Sequence, residues 1–85
     1  MKISTKGRYA LEAVVDLAYH AKDELESIKN ISEHLGVSKN YLEQIFVHLR
    51  KNGIVDSVRG AQGGYRLARP SNQISAGDVI RAVEG

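Results

Sequence analysis

Residues 28–53 read IKNISEHLGVSKNYLEQIFVHLRKNG, and the fold turns on how this stretch divides. Ser38 stands where a helix N-cap belongs. Leu42, Ile45, Phe46 and Leu49 then recur at the three- and four-residue spacing of one helix face, and Asn52-Gly53 ends the run. The pattern predicts a helix over about 38–52. Upstream, Ser27 caps a shorter helix carrying Ile28, Ile31 and Leu35, which Gly36 closes. Only Gly36, Val37 and Ser38 join the two. So short a joint makes the helices cross steeply instead of lying antiparallel, which is the geometry of a helix-turn-helix. A helical corner packed for stability alone carries the same apolar pattern, so the outer face of the second helix has to decide between them.

With the apolar stripe turned inward, Asn40, Gln44, Val47 and Lys51 project outward, flanked by Tyr41, Glu43 and His48. Asn and Gln pair bidentately with adenine, an exposed Val meets a thymine methyl, and Tyr and Lys reach phosphates. Ser38 and the helix N-terminus favour a phosphate. Glu43 accepts from cytosine or repels wrong registers. For Glu43 and His48, a solvated surface position explains the residue equally well.

After Gly53 the periodicity changes. Ile54 to Val58 is short and rich in branched residues, and Tyr65-Arg66-Leu67 alternates apolar with charged, so both read as strands. The loop between them, Arg59-Gly60-Ala61-Gln62-Gly63-Gly64, has glycines that allow positive φ and let backbone amides approach phosphates. Arg59 at its mouth suits a narrow minor groove. A nucleotide-phosphate loop fits poorly, because no lysine follows the glycines and the loop leads into a strand. Before the corner, Ala10, Leu11, Val14, Leu17, Ala18 and Ala21 mark a first helix from Thr5 to Lys22, with Glu12, Asp16 and His20 as its polar stripe. After the hairpin and Pro70, Ser75 with Asp78 resembles a capping box opening a last helix on Ala76, Val79, Ile80 and Val83. The expected architecture is mainly α with a small β-hairpin, a winged helix-turn-helix forming one domain over residues 1–85.

The 85 residues suffice for one modest core, and their lack of cysteine excludes disulfides, thiolate metal sites and cysteine nucleophiles within them. No stretch has the length and apolarity of a membrane span or the pattern of a signal peptide, so the expected location is cytoplasmic. Net charge is only +2, but it is uneven. Lys2, Lys6 and Arg8 open the chain without an acid, and residues 39–69 carry six basic residues against Glu43 and Asp56. Residues 9–38 are acidic, with Glu12, Asp16, Asp23, Glu24, Glu26 and Glu33 against Lys22 and Lys29. An enzyme is not expected. His20, His34 and His48 have no metal-ligand spacing in sequence, no nucleophile is paired with a base, and Asp78 is explained as a cap. No metal or cofactor is therefore assigned.

The runs STKGRYAL at 4–11, YLEQIF at 41–46 and LRKNGIVDSVRGAQGGYRL at 49–67 resemble the Rrf-type family of bacterial winged-helix transcriptional regulators. The likeness covers essentially the whole chain, and the RG-x-x-GGY wing after LRK-x-G is its most specific part. The resemblance implies a homodimeric repressor or activator on palindromic double-stranded DNA. By position it implies that Ser38, Asn40, Tyr41, Glu43 and Gln44 face the major groove, Arg59 the minor groove, and Lys6 and Tyr9 the phosphates. Lys51 and Gly60 join this set from the reading of the helix and loop. Family members usually continue into a dimerisation helix and a sensory segment, often with three cysteines holding an iron-sulfur cluster, and neither is present in these residues. The expectation is a homodimer in a longer chain, a weak or absent dimer in this one, and sensing through a regulatory protein partner. The alternative from another class is a winged helix used only for protein interaction. That use calls for an apolar patch on the third helix, where Val47 is the single large aliphatic among polar residues.

Overall fold

A computed structural model describes residues 3–20, 24–61 and 63–85. The elements run α1 (Thr5–His20), α2 (Ile28–Leu35), α3 (Lys39–Lys51), β1 (Val55–Val58), β2 (Gly64–Leu67), a 3₁₀ turn (Ser71–Gln73) and α4 (Ala76–Glu84). The order and type match the sequence reading. Expectations placed on Lys2, on Ala21 and Lys22 at the end of the first helix, and on Gln62 in the loop lie outside the described residues.

Each helix start has a local cause. The Ser4 hydroxyl accepts from the Gly7 amide at 3.0 Å, and the Ser27 and Ser38 hydroxyls accept from the Asn30 and Tyr41 amides, each at 3.1 Å. Ser75 and Asp78 close a reciprocal capping box on α4. The α2–α3 corner depends on Gly36, whose φ of 70° and ψ of 31° are left-handed. A Cβ there would meet nothing within 4 Å, so the demand for glycine is conformational and not one of space. The amides of Gly36 and Val37 both return to the Ser32 carbonyl, at 2.9 and 3.3 Å, and this satisfies the end of α2 before α3 begins.

The core is built from the faces the periodicity marks out. Leu17, Ile31, Leu42, Ile45, Phe46, Leu49, Ile54, Val55 and Val79 are fully buried, and each such side chain contributes about 1.5–3 kcal/mol by leaving water. Helix α4 packs on α1 and α3 through Val79, Ala82 and Val83, and the Ser4 hydroxyl donates to Glu84 Oε2 at 2.9 Å, tying the first turn of α1 to the last of α4. Ala76, expected on the inner face of α4, is exposed, because it sits in the uncovered first turn.

Strands β1 and β2 pair antiparallel, Val55 opposite Leu67 and Val58 opposite Gly64. On its other edge β2 meets a single residue, Glu26, which exchanges backbone hydrogen bonds with Tyr65 at 2.8 and 2.9 Å. This bridge draws the segment before α2 against the hairpin, and the Tyr65 ring stacks on Phe46 of α3 with centroids 4.4 Å apart. The base of the wing is thus fixed to α3 by side chains and to the start of α2 by backbone.

The polar stripe expected on α1 is only partly solvated. Glu12 and His20 are exposed, but the Asp16 side chain retains 9% exposure because α2 closes over it. The wing loop also differs in detail. Among its described residues only Gly60 has positive φ, at 122°. Gly63 and Gly64 serve close approach instead, since a Cβ on Gly64 would lie 2.6 Å from the Glu26 carbonyl oxygen.

Candidate nucleic-acid interface

Core packing fixes which face of α3 is left over. With Leu42, Ile45, Phe46 and Leu49 buried, Asn40, Gln44, Val47 and Lys51 form the opposite ridge at spacings of four, three and four residues, and all four are exposed. Glu43 and Arg50 flank this ridge on one side, Tyr41 and His48 on the other. Val47, 41% exposed, is the only large aliphatic among them.

The two flanks meet different neighbours. On the first, Glu43, Val47 and Arg50 share a cleft of about 480 Å³ with Ser57, Val58, Arg59 and Gly60 of the hairpin. On the second, Tyr41 is half-buried, its ring edge-on to Tyr9 of α1 with centroids 5.9 Å apart, and the Arg8 guanidinium lies 5.0 Å from the Tyr9 ring centre. Tyr41 therefore projects less freely than helical spacing alone suggests. Its ring covers apolar surface and leaves the hydroxyl as its polar end.

The structure brings together most of the residues singled out from sequence. Asn40, Glu43, Gln44 and Lys51 lie on α3, and Arg59 and Gly60 stand beside them on the wing, all exposed. Ser38 caps α3 and keeps its hydroxyl proton available while its oxygen accepts from the Tyr41 amide. Lys6 and Tyr9 lie in the first two turns of α1, half-buried. Arg50 belongs with this set and was missed. Its place seven residues after Glu43 and three after Val47 was the available signal, obscured because a basic residue in a last turn is already explained by the helix dipole.

An exposed polar ridge on α3 thus lies between a thin hairpin carrying Arg59 and the start of α1 carrying Lys6 and Arg8. Residues 3–85 match the Rrf2 family model, described as an iron-dependent transcriptional regulator. The chain is 51% identical over 86 residues to the HTH-type transcriptional regulator IscR of Cereibacter sphaeroides, covering 99% of this chain and 56% of that one. It is 49% identical to IscR of Pectobacterium carotovorum, covering 99% and 51%. Among solved structures, T. potens IscR superposes with a TM-score of 0.91 at 53% identity, over 100% of this chain and 62% of that one. CymR, the global cysteine regulator of B. subtilis, superposes with a TM-score of 0.94 at 46% identity, over 100% and 66%. The chain spans about half the length of the curated relatives it matches. Both the fold and the sequence place it: the chain is a winged helix-turn-helix that belongs to the Rrf2 family of bacterial transcriptional regulators.

Proposed function

We propose that residues 1–85 are the DNA-reading domain of a transcriptional regulator, with α3 in the major groove and the Arg59–Gly64 wing at the adjacent minor groove. The observation that carries this reading is the exposed ridge of Asn40, Gln44, Val47 and Lys51, left free by the core and bordered by Arg59. Asn40 and Gln44 supply base-edge hydrogen bonds. Ser38, Lys6 and the Tyr9 and Tyr41 hydroxyls supply phosphate contacts, and Glu43 biases against wrong registers. Arg50 and Lys51 add positive charge at the end of the helix.

The target is a palindrome read by a homodimer of a longer chain, with these residues alone dimerising weakly or not at all and a regulatory protein as a further partner. The absence of cysteine means that these residues do not fit a thiolate-held iron-sulfur cluster, and no step of DNA reading is assigned to one. No helix of the described residues is long and apolar enough to cross a membrane.

Selection of bound duplexes from a random pool at stated salt tests the reading. An enriched inverted repeat with affinity that falls as salt rises is the expected result. Recovery of no preferred sequence at any salt would leave α3 as a protein-binding surface and overturn the proposal.

A further inference from the structure

At the end of the molecule formed by α1 and α2, four side chains from distant parts of the sequence converge. The Asp16 Oδ1 atom lies 2.9 Å from His34 Nδ1 and 3.5 Å from His20 Nε2, and Glu26 Oε1 lies 3.3 Å from the same His34 nitrogen. One ligand atom from each of Asp16, His20 and His34 falls within 4.8 Å of the other two. In a tetrahedral site with metal–ligand bonds near 2.0–2.1 Å, neighbouring donors stand about 3.3 Å apart. The two separations from Asp16, 2.9 and 3.5 Å, bracket that value.

The buried member of the group has an unmet need. Glu26 is 4% exposed, and its Oε2 atom has no hydrogen-bond partner among the described residues. Both histidines also stand in the last turns of their helices, where the macrodipoles add negative potential.

We propose that Asp16, His20 and His34 form a binding site for one divalent first-row transition-metal ion, with the buried Glu26 carboxylate beside His34 as its outer support. Two imidazoles and a carboxylate suit an ion of intermediate softness such as Zn²⁺ better than Ca²⁺ or Mg²⁺, which take oxygen. The histidines are partly exposed, so an ion reaches them from solvent, while Glu26 lies against His34 on the buried side. These histidines have no metal-ligand spacing along the sequence, and it is the packing of α1 against α2 that brings together residues fourteen positions apart. The bound ion joins the C-terminal end of α1 to that of α2, on which α3 is set. None of the outward ridge of α3 lines this cleft, so the site is separate from the proposed DNA surface.

Calorimetric titration of metal-free, tag-free protein with Zn²⁺ alone tests the site. One ion per chain is expected, with Co²⁺ giving the intense visible absorption of a tetrahedral centre. His20→Ala, His34→Ala and Glu26→Gln should each weaken Zn²⁺ by at least about tenfold, whereas His48→Ala should keep full affinity. Zn²⁺ should also raise the melting temperature of the parent but not of the His20→Ala/His34→Ala double variant. Circular dichroism on the metal-free variants checks that they fold. Absence of saturable Zn²⁺ binding, or equal affinity in the parent and both single histidine variants, would show that these groups are a hydrogen-bonded network only and overturn the proposal.

Discussion

Helices α3 and α4 are organised by residues three or four positions apart, whereas the region around Glu26 is assembled from parts of the chain up to 39 positions away. Ser38 caps α3 and Ser75 with Asp78 caps α4, each through bonds inside a single turn. Glu26, by contrast, meets Asp16 through its carboxyl, His34 across α2, and Tyr65 and Gly64 through its backbone. Local organisation costs little chain entropy and contributes increments of about 1 kcal/mol. Distant organisation carries the packing that makes the fold cooperative, so damage to the two regions should differ in size.

The largest effect is expected where the distant contacts pass through α3. Phe46 is 1% exposed and its ring stacks on Tyr65, so Phe46→Ala removes core volume and the tie between α3 and the wing together. A loss of about 3–5 kcal/mol is expected, read as a lowered urea midpoint. A loss below about 1 kcal/mol would mean the hairpin base holds without this stack and the contrast between regions is overstated.

On the outer face of the same helix, substitution should spare stability and strike binding. Gln44→Ala is expected to cost about 1–3 kcal/mol on the preferred duplex and to relax preference at one base pair, leaving non-specific affinity nearly unchanged. Competition titrations on both kinds of duplex separate the two, and equal loss on all sequences would reassign Gln44 to the phosphates. For Arg59→Lys a smaller, sequence-dependent loss is expected, greater where the wing meets A·T pairs. Lysine keeps the charge but sheds its hydration at greater cost on entering a narrow groove. Paired titrations on duplexes differing only in those pairs measure it, and unchanged affinity on both would make the wing a simple electrostatic anchor.

The same contrast explains what was legible in the sequence. The helices, their caps and the outward ridge of α3 followed from periodicity and capping, because both are properties of neighbours along the chain. The hairpin was placed to within one residue, since Gly64 read as loop but pairs with Val58. Arg50 was overlooked, and the edge-on packing of Tyr9 against Tyr41, which was read as a flank of the outward ridge, had no signal in the helical spacing. Asp16, His20, Glu26 and His34 were not legible as a group, because no spacing rule encodes which end of α1 meets which end of α2. Asp16 read as a solvated stripe residue for the same reason.

In α4, where organisation is local, a modest effect is expected. Ser75→Ala removes the hydroxyl that accepts from the Asp78 amide at 3.0 Å and should cost about 1 kcal/mol by chemical denaturation. A cost of several kcal/mol would place α4 with the distant class.

The smallest expected effect is a response to acid at the same cap. The Ser75 backbone amide donates to Asp78 Oδ2 at 3.1 Å and the Arg81 guanidinium to Oδ1 at 2.8 Å. Led by the Ser75 amide, these bonds favour the ionised carboxylate and hold its pKa below the ordinary value of 3.8. The folded protein therefore binds fewer protons at this position than the unfolded chain. The resulting stability is fully present above that ordinary value and is lost as pH falls through the lowered folded one. Asp78→Asn cannot ionise and should be less stable than the parent near neutral pH, the gap narrowing once the solution is more acidic than the ordinary carboxylate value. The measurement is denaturation of both proteins across that range. A gap of constant size would show that the cap depends on the shape of the side chain and not on its charge.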